Sequence, residues 1–213
     1  MEFNAEFTQW RVATVRQNLE TFNHVLAAEC RNCETYFFQN KKLGMDISTL
    51  LRDGHSRIHE SIRMFVPAEA QGELKEAGRC LALESYTASG FHTLRTLEIV
   101  MDGYLKVASG KDREYRSWYD YIKALSRLSR PRVNVVHRPS PKVVAMLDRM
   151  RELDRNPLMH PRDSLDEMGA DTLFSIGLAT ITEMAKDLRD WGGQKDLELV
   201  GAAGGQQQVT PAV

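Results

Sequence analysis

The chain has 213 residues, with 28 Lys and Arg against 29 Asp and Glu and a formal net charge of -1. This length can bury a core in one domain with an appended element, and the near-neutral charge excludes a uniformly basic nucleic-acid-binding protein. No apolar run approaches the ~20 residues that span a bilayer, and the first residues lack a basic signal region. Together with three cysteines, this predicts a cytoplasmic protein without a membrane partner.

The first predicted element is one long amphipathic helix, from about residue 4 to residue 38. Its apolar side chains recur at spacings of three and four, at Val12, Val15, Leu19, Phe22, Leu26, Cys30, Cys33 and Phe37. Cys30 and Cys33 form a C-x-x-C pair, which leaves open a core or interface role and a redox or metal role. Their mid-helix position favours the first, because the redox motif needs its first Cys at a helix N-terminus.

A short helical connection follows up to Pro67, where a second long helix is expected to begin and to continue to about Glu84. His55 and His59 lie four residues apart in this connection, but no third ligand accompanies them. We therefore predict no metal site and no cofactor. Residues 85–90 predict a kink, and a clean repeat of apolar residues then continues as far as Ser109.

A third helical stretch is predicted from about Asp112 to Leu128, with Trp118, Ile122 and Leu125 facing inward. Residues 106–142 contain ten bases and three acids, a local excess of seven positive charges that favours a surface for a polyanion. The residues selected for nucleic-acid binding, in this segment and the next helix, are Arg127, Arg130, Arg132, Arg138 and Arg151. The interleaved aromatics could stack on unpaired bases or pack in the core, and they are Tyr115, Trp118, Tyr119 and Tyr121.

Residues 130–141 contain three prolines and predict a linker without helix. The next helix has an inward stripe of Val143, Leu147, Met150 and Leu153. At about 100° per residue, Arg155 lies roughly 140° around the helix from Met150, away from the core and accessible to a ligand. Pro157 and Pro161 predict a helix that ends near Arg155 and stays broken through His160. A capping box from Ser164 to Glu167 then predicts the start of the last core helix.

These elements predict an all-α fold, a bundle of four to five helices with a long N-terminal helix added. We divide the chain into residues 1–66, the N-terminal helix and a connection packing on the core; residues 67–192, the bundle; and residues 193–213, a flexible tail.

Arg155-Asn156-Pro157-Leu158-Met159-His160 resembles the R-N-x-x-x-H motif of HEPN domains, which are all-α bundles with this motif before the last helix. The resemblance in helix order covers roughly residues 69–191, and the segments 77–82 and 90–95 look like an uncharacterised bacterial branch of such proteins. It implies a metal-independent endoribonuclease that acts as a homodimer, in a toxin–antitoxin or defence setting and with an antitoxin or other protein partner.

Carried over to this chain, the resemblance implies that Arg155 binds the scissile phosphate and that His160 acts as general acid or base. Asn156 would then orient the phosphate or the imidazole. The residue types fit these roles, because an unperturbed imidazole exchanges protons near neutral pH and a guanidinium binds phosphate in a bidentate manner. A noncatalytic module for dimerisation or for RNA or nucleotide binding stays open as the alternative. So does a structural role for Arg155 and His160 in the turn between two helices.

Overall fold

The structure, a computed structural model, describes residues 9–32, 46–113, 115–158, 160 and 162–192. Over these residues the chain is helical and contains no strand, which confirms the all-α prediction and the long N-terminal helix. The chain divides into two compact units, residues 1–39 and residues 40–213. None of the helices in the described ranges is both long enough and apolar enough to cross a membrane.

The first unit contains α1 (Gln9–Asn32), a single helix of 24 residues. The predicted apolar stripe lies on this helix, and its side chains are 47–64% exposed at Val12, Val15, Leu19, Phe22 and Leu26. Cys30 is also exposed. The other cysteine of the C-x-x-C pair, Cys33, lies outside the described residues, as do Phe37 and the predicted tail.

The second unit contains α2 (Ile47–Asp53), α3 (Glu60–Arg63), α4 (Ala68–Ala82), α5 (Tyr86–Ser109), α6 (Trp118–Leu128), α7 (Pro141–Met150), α8 (Asn156–Leu158) and α9 (Glu167–Asp190). A 3-10 turn at Gly54–Arg57 follows α2, and a π-helical turn at Arg151–Arg155, hereafter the wide turn, joins α7 to α8. Helix α5 is central, with α4 and α9 packed along it and α6 on a further side.

The core forms where the predicted apolar stripes meet. The inward residues of α5 and α9 are almost fully buried, at Leu94, Leu97, Met101, Tyr104, Phe174, Ile181, Ala185 and Leu188. Residues 46–66 add Leu50, Ile58 and Ile62 to the same core. The Cα of Gly54 approaches Gly78 so closely that a Cβ on Gly78 would lie 3.1 Å from it, so α4 and the end of α2 pack backbone to backbone.

Three predicted boundaries are wrong, and local capping explains two of them. Helix α6 begins at Trp118 and not near Asp112, because the Ser117 side chain caps it by accepting the N–H of Asp120. Helix α9 is capped by Asp166 and not by Ser164, with the Asp166 carboxylate accepting the N–H of Gly169 at 2.7 Å. The break predicted in residues 85–90 lies at 83–85 instead, where Glu84 adopts a left-handed backbone with φ of 61°.

The Asp187 carboxylate joins α9 to α5 and to the start of α7. It accepts the hydroxyl of Tyr104 at 2.5 Å and the N–H of Ser140 at 3.2 Å. Burial raises the pKa of the Tyr104 hydroxyl well above its ordinary value, and the hydrogen bond to Asp187 raises it further. Trp191 stacks on Tyr104 with ring centroids 4.9 Å apart and on His137 at 5.3 Å, so the linker before α7 is held against the end of α9.

We expect Tyr104→Phe to lower the free energy of unfolding by about 1–3 kcal/mol, because it removes the hydroxyl donor from a partly buried carboxylate. Chemical denaturation followed by circular dichroism measures the loss. Tyr119→Phe is the matched control, since the Tyr119 side chain is exposed and should change stability by less than about 0.5 kcal/mol. Equal stability of the two variants would contradict a supporting role for the Asp187 junction.

Candidate functional site

The helix that carries the predicted motif does not end at Arg155. Residues 151–155 continue α7 as the wide turn, in which the N–H of Asn156 donates to the carbonyl of Arg151, and α8 extends to Leu158. Asn156 has helical dihedrals of -63° and -47° although it precedes Pro157. The helix therefore ends three residues later than predicted, whereas the predicted break at His160 is confirmed. A widened turn accommodates a proline inside a helix, because it relieves the contact between the ring and the carbonyl four residues earlier.

The wide turn changes which side chains face the core. In an α-helix, residues three and four apart share a face, whereas the longer repeat of a π-turn places residue 155 back on the side of residue 150. Accordingly Leu153, predicted to face inward, is 56% exposed. Arg155, predicted to lie off the buried face, is half-buried below the fully buried Met150. Within the described part of the chain, the Arg155 guanidinium makes no hydrogen bond or ion pair.

Asp154 shares this partly buried position. Burial raises the pKa of its carboxyl above the ordinary value, and the nearby charge of Arg149 opposes that shift. The wide turn thus brings an acid and a guanidinium from adjacent positions into the edge of the core. Residues in such turns are often found at functional sites, where the distortion places a side chain that a regular helix would direct elsewhere.

His160 lies in a pair of consecutive turns after α8. Its N–H donates to the carbonyl of Pro157 at 2.9 Å, and its carbonyl accepts the N–H of Asp163 at 3.0 Å. The backbone of His160 is therefore fixed while the residue as a whole is exposed. Asn156 is exposed as well, at the start of α8. Pro161, predicted to stiffen the same turn, lies outside the described residues.

The loop that carries His160 is seated on the N-terminal part of α5. The N–H of Leu165 donates to the Thr87 hydroxyl at 3.0 Å. Gly90 provides the space beside it, because a Cβ on Gly90 would lie 2.5 Å from Leu165 Cδ1 and 3.0 Å from Leu158 Cδ2. Leu158 before the loop and Leu165 at its end therefore both pack against α5 at Gly90, where the helix has no side chain.

The five arginines predicted to bind nucleic acid separate by their contacts. Arg138 is tied to its own linker, where its guanidinium donates to the carbonyl of Arg130 and, at 2.9 Å, to that of Val133. Arg151 pairs with Asp148 at 3.1 Å and with Glu152 at 2.8 Å. Both side chains therefore support local structure, which leaves only part of their donor capacity for a ligand.

Arg130 and Arg132 are exposed on the linker, and Arg127 lies in a groove. This groove, hereafter the basic groove, has a volume of about 460 Å³ and runs along α6 and the segment before it. It is lined by Arg113, Tyr115, Arg116, Asp120, Lys123, Ala124 and Arg127. The sequence analysis did not select Arg113, Arg116 and Lys123. Lys123 follows Arg116 by seven residues and precedes Arg127 by four, and such spacings predict a shared helix face.

The interleaved aromatics belong mostly to the core. Trp118 and Tyr121 are buried, and Tyr115 packs on Tyr121 with ring centroids 5.1 Å apart. The Tyr121 hydroxyl donates to Asp102, and burial together with that bond raises the pKa of Tyr121 to about 12. Of the two alternatives left open by the sequence, core packing is therefore confirmed for Trp118 and Tyr121, and only Tyr119 among the four is exposed.

Tyr119 connects the basic groove to the wide turn. Lys123, which lines the groove, has its ammonium 5.7 Å from the centre of the Tyr119 ring. The guanidinium of Arg151, the first residue of the wide turn, lies 5.7 Å from the same ring centre. Cation–π contacts therefore place the groove and the turn carrying Arg155 beside the same tyrosine.

The chain matches no protein-family model, and neither a curated protein nor a solved structure shows significant similarity to it. Among the described residues, no group of three His, Cys, Asp or Glu side chains is arranged to hold a metal ion.

We expect Gly90→Ala to displace the loop that carries His160, because the new methyl group would overlap Leu165 and Leu158. Overpacking of this kind costs about 1–3 kcal/mol. Hydrogen exchange should show faster exchange of the Leu165 amide, whose bond to Thr87 depends on the loop position. Gly103→Ala, in the same helix with no atom within 4 Å of the added Cβ, is the control and should be neutral or stabilising by about 0.5–1 kcal/mol. Unchanged Leu165 exchange in Gly90→Ala would contradict this role of Gly90.

Proposed function

We propose that this protein is a HEPN-like ribonuclease that cleaves RNA without a metal ion, with Arg155, Asn156 and His160 as its reacting set. The observation that supports this most is the half-buried position of Arg155, which lacks an ion-pair partner in the described ranges. Partial burial of an unpaired charge is unfavourable, and a phosphate would offset that cost while matching the planar guanidinium.

In the proposed reaction, an imidazole takes the proton of the RNA 2′-hydroxyl, whose oxygen then bonds to the adjacent phosphorus. The bond from phosphorus to the 5′ oxygen breaks, and that oxygen receives a proton from a second imidazole in its charged form. The products are a 2′,3′-cyclic phosphate and a 5′-hydroxyl. Arg155 would bind the non-bridging oxygens, and Asn156 would orient the phosphate or the imidazole.

A single His160 cannot be both base and acid in one step, so the proposal includes a homodimer in which each copy supplies one. The stripe on α1 supports such self-association. Val12, Val15, Leu19, Phe22 and Leu26 follow the three-four spacing of a coiled-coil seam and are all exposed.

The flanking charges favour an antiparallel pair of α1 helices. With Val12 and Leu19 at a positions, Arg11 takes a g position and Arg16 the following e position. These two positions face each other across a parallel dimer and would place like charges together, whereas an antiparallel pair separates them. A protein partner such as an antitoxin, a defence setting and a cytoplasmic location remain predictions from the sequence.

A noncatalytic module that binds RNA or nucleotides is the second candidate, favoured by the basic groove. In this case Arg155 and His160 would contact a phosphate without transferring a proton. The two candidates differ in product formation, since both predict binding and only the first predicts new RNA ends.

We expect the purified protein to cleave single-stranded RNA in the presence of EDTA and to leave 2′,3′-cyclic phosphate ends. His160→Ala should reduce the rate by at least about a hundredfold, as expected for loss of a general acid or base. His24→Ala, an exposed histidine of α1, is the matched control and should retain full activity. Cleavage by His160→Ala at the wild-type rate would overturn the catalytic assignment, and binding without any cleavage by the wild type would favour the noncatalytic module.

We expect the double substitution Leu19→Glu and Phe22→Glu to convert a dimer into a monomer, because it places charge in the apolar seam of α1. Sedimentation velocity at micromolar concentration measures the change. The control introduces two glutamates on the opposite face of α1, Gln17→Glu and His24→Glu, and this variant should remain dimeric. Dimers in both variants would contradict the α1 contact, and a monomeric wild type would contradict the two-histidine mechanism.

A further inference from the structure

We infer that the basic groove, which lies beside the wide turn, binds the sugar–phosphate backbone of single-stranded RNA independently of the RNA sequence. This inference rests on the proposed function in one respect only, the choice of RNA as the polyanion. It deepens that function by assigning substrate contacts to Arg113, Arg116, Lys123 and Arg127, of which only Arg127 is selected by sequence reasoning.

Among the described residues, the positive charge of the groove remains unmatched. The four cations form no ion pair with any described residue. Asp120, the acid in the lining, accepts a hydrogen bond from the Ser117 hydroxyl at 2.7 Å. By contrast, Lys106 nearby is paired with Asp102 at 3.0 Å and with Asp112 at 2.9 Å. The local positive excess is therefore concentrated in the groove, where it attracts a polyanion.

The aromatic ring in the groove, that of Tyr115, is already in contact with other side chains. The guanidinium of Arg113 lies 5.1 Å from the centre of the Tyr115 ring, and Tyr121 packs on the same ring. Base stacking needs an open ring face, and Arg113 and Tyr121 both already contact the Tyr115 ring. Flexible cationic side chains without such a face contact phosphates, which are common to every sequence.

The size of the groove favours a nucleic acid that is single-stranded. A groove of about 460 Å³ has the volume of a site for a drug-sized ligand and therefore admits a short stretch of one strand. The proposed cleavage also requires a strand that can align its 2′-hydroxyl with the breaking bond, which an unpaired strand does most readily. Lys123 and Arg127 are exposed and lie about 6 Å apart along the axis of α6, so they can contact successive parts of that strand.

The groove lies near the wide turn. Lys123, which lines the groove, and Arg151 of the wide turn both contact the Tyr119 ring. A strand held in the groove would therefore pass close to the turn that carries Arg155. Arg151 itself is paired with two carboxylates, so its proposed role is to hold Tyr119 and the turn in place.

The test measures binding of a fluorescent single-stranded RNA by anisotropy, with the non-cleaving His160→Ala protein as the background. Adding Lys123→Gln and Arg127→Gln should weaken binding about tenfold and reduce the slope of log K against log salt by about 1.4, or about 0.7 for each lost phosphate contact. Adding Lys186→Gln and Arg189→Gln on α9 changes the net charge equally and should leave both quantities unchanged. The exchange Lys123→Arg with Arg127→Lys should restore binding.

Two further binding measurements test whether the groove recognises the RNA backbone or a small anion. A uridine oligonucleotide and a mixed-sequence oligonucleotide of equal length should bind within about threefold of each other, and a tenfold preference would overturn backbone recognition. Complete displacement of RNA by millimolar inorganic phosphate would overturn an RNA site in favour of a small-anion site. Equal weakening by the groove and α9 substitutions would overturn the location. If the wild type never cleaves RNA while groove-dependent binding holds, the cleavage proposal fails and the groove inference stands.

Discussion

The Asp187 carboxylate determines where the candidate site lies, because it fixes the start of α7 against two core helices. It accepts hydrogen bonds from Tyr104 of α5 and from the backbone of Ser140, the residue that caps α7. Helix α7 then continues through its ten residues to the wide turn. A hydrogen-bonded junction at one end of the helix thus controls the position of Arg155 at the other, without touching the proposed substrate.

Pro157 imposes the second constraint. A proline within a continuing helix must be accommodated, and here the wide turn before it changes the phase of the helix by nearly one residue. That change exposes Leu153 and brings Asp154 and Arg155 towards the core. The same change explains how Leu158 returns to the buried face and packs beside Gly90 of α5. One local distortion therefore positions the guanidinium and anchors the loop of His160.

Sequence reasoning succeeds where the signal is periodic and local. The stripes of α5, α7 up to Met150, and α9 are buried as expected, because the 3.6-residue repeat follows from helix geometry alone. The sequence prediction fails at the wide turn, because the 3.6-residue repeat assumes a regular helix and because a proline is normally taken to end a helix. It also misplaces the starts of α6 and α9, because several cap-forming residues precede each helix and the sequence alone does not show that Ser117 and Asp166 are the ones that accept the backbone N–H groups.

The basic surface is likewise predicted only in part. The number of arginines and lysines in the sequence predicts that the surface is basic. Binding of an anion depends on how many of these cations remain unpaired, which the sequence does not show. Arg138 is occupied by backbone carbonyls, Arg151 by carboxylates and Lys106 by two aspartates. The remaining cations of residues 113–127 share one groove. Because paired charges attract a polyanion weakly, the charge that can act on one is carried by the four cations of the basic groove and by the exposed Arg130 and Arg132 of the linker.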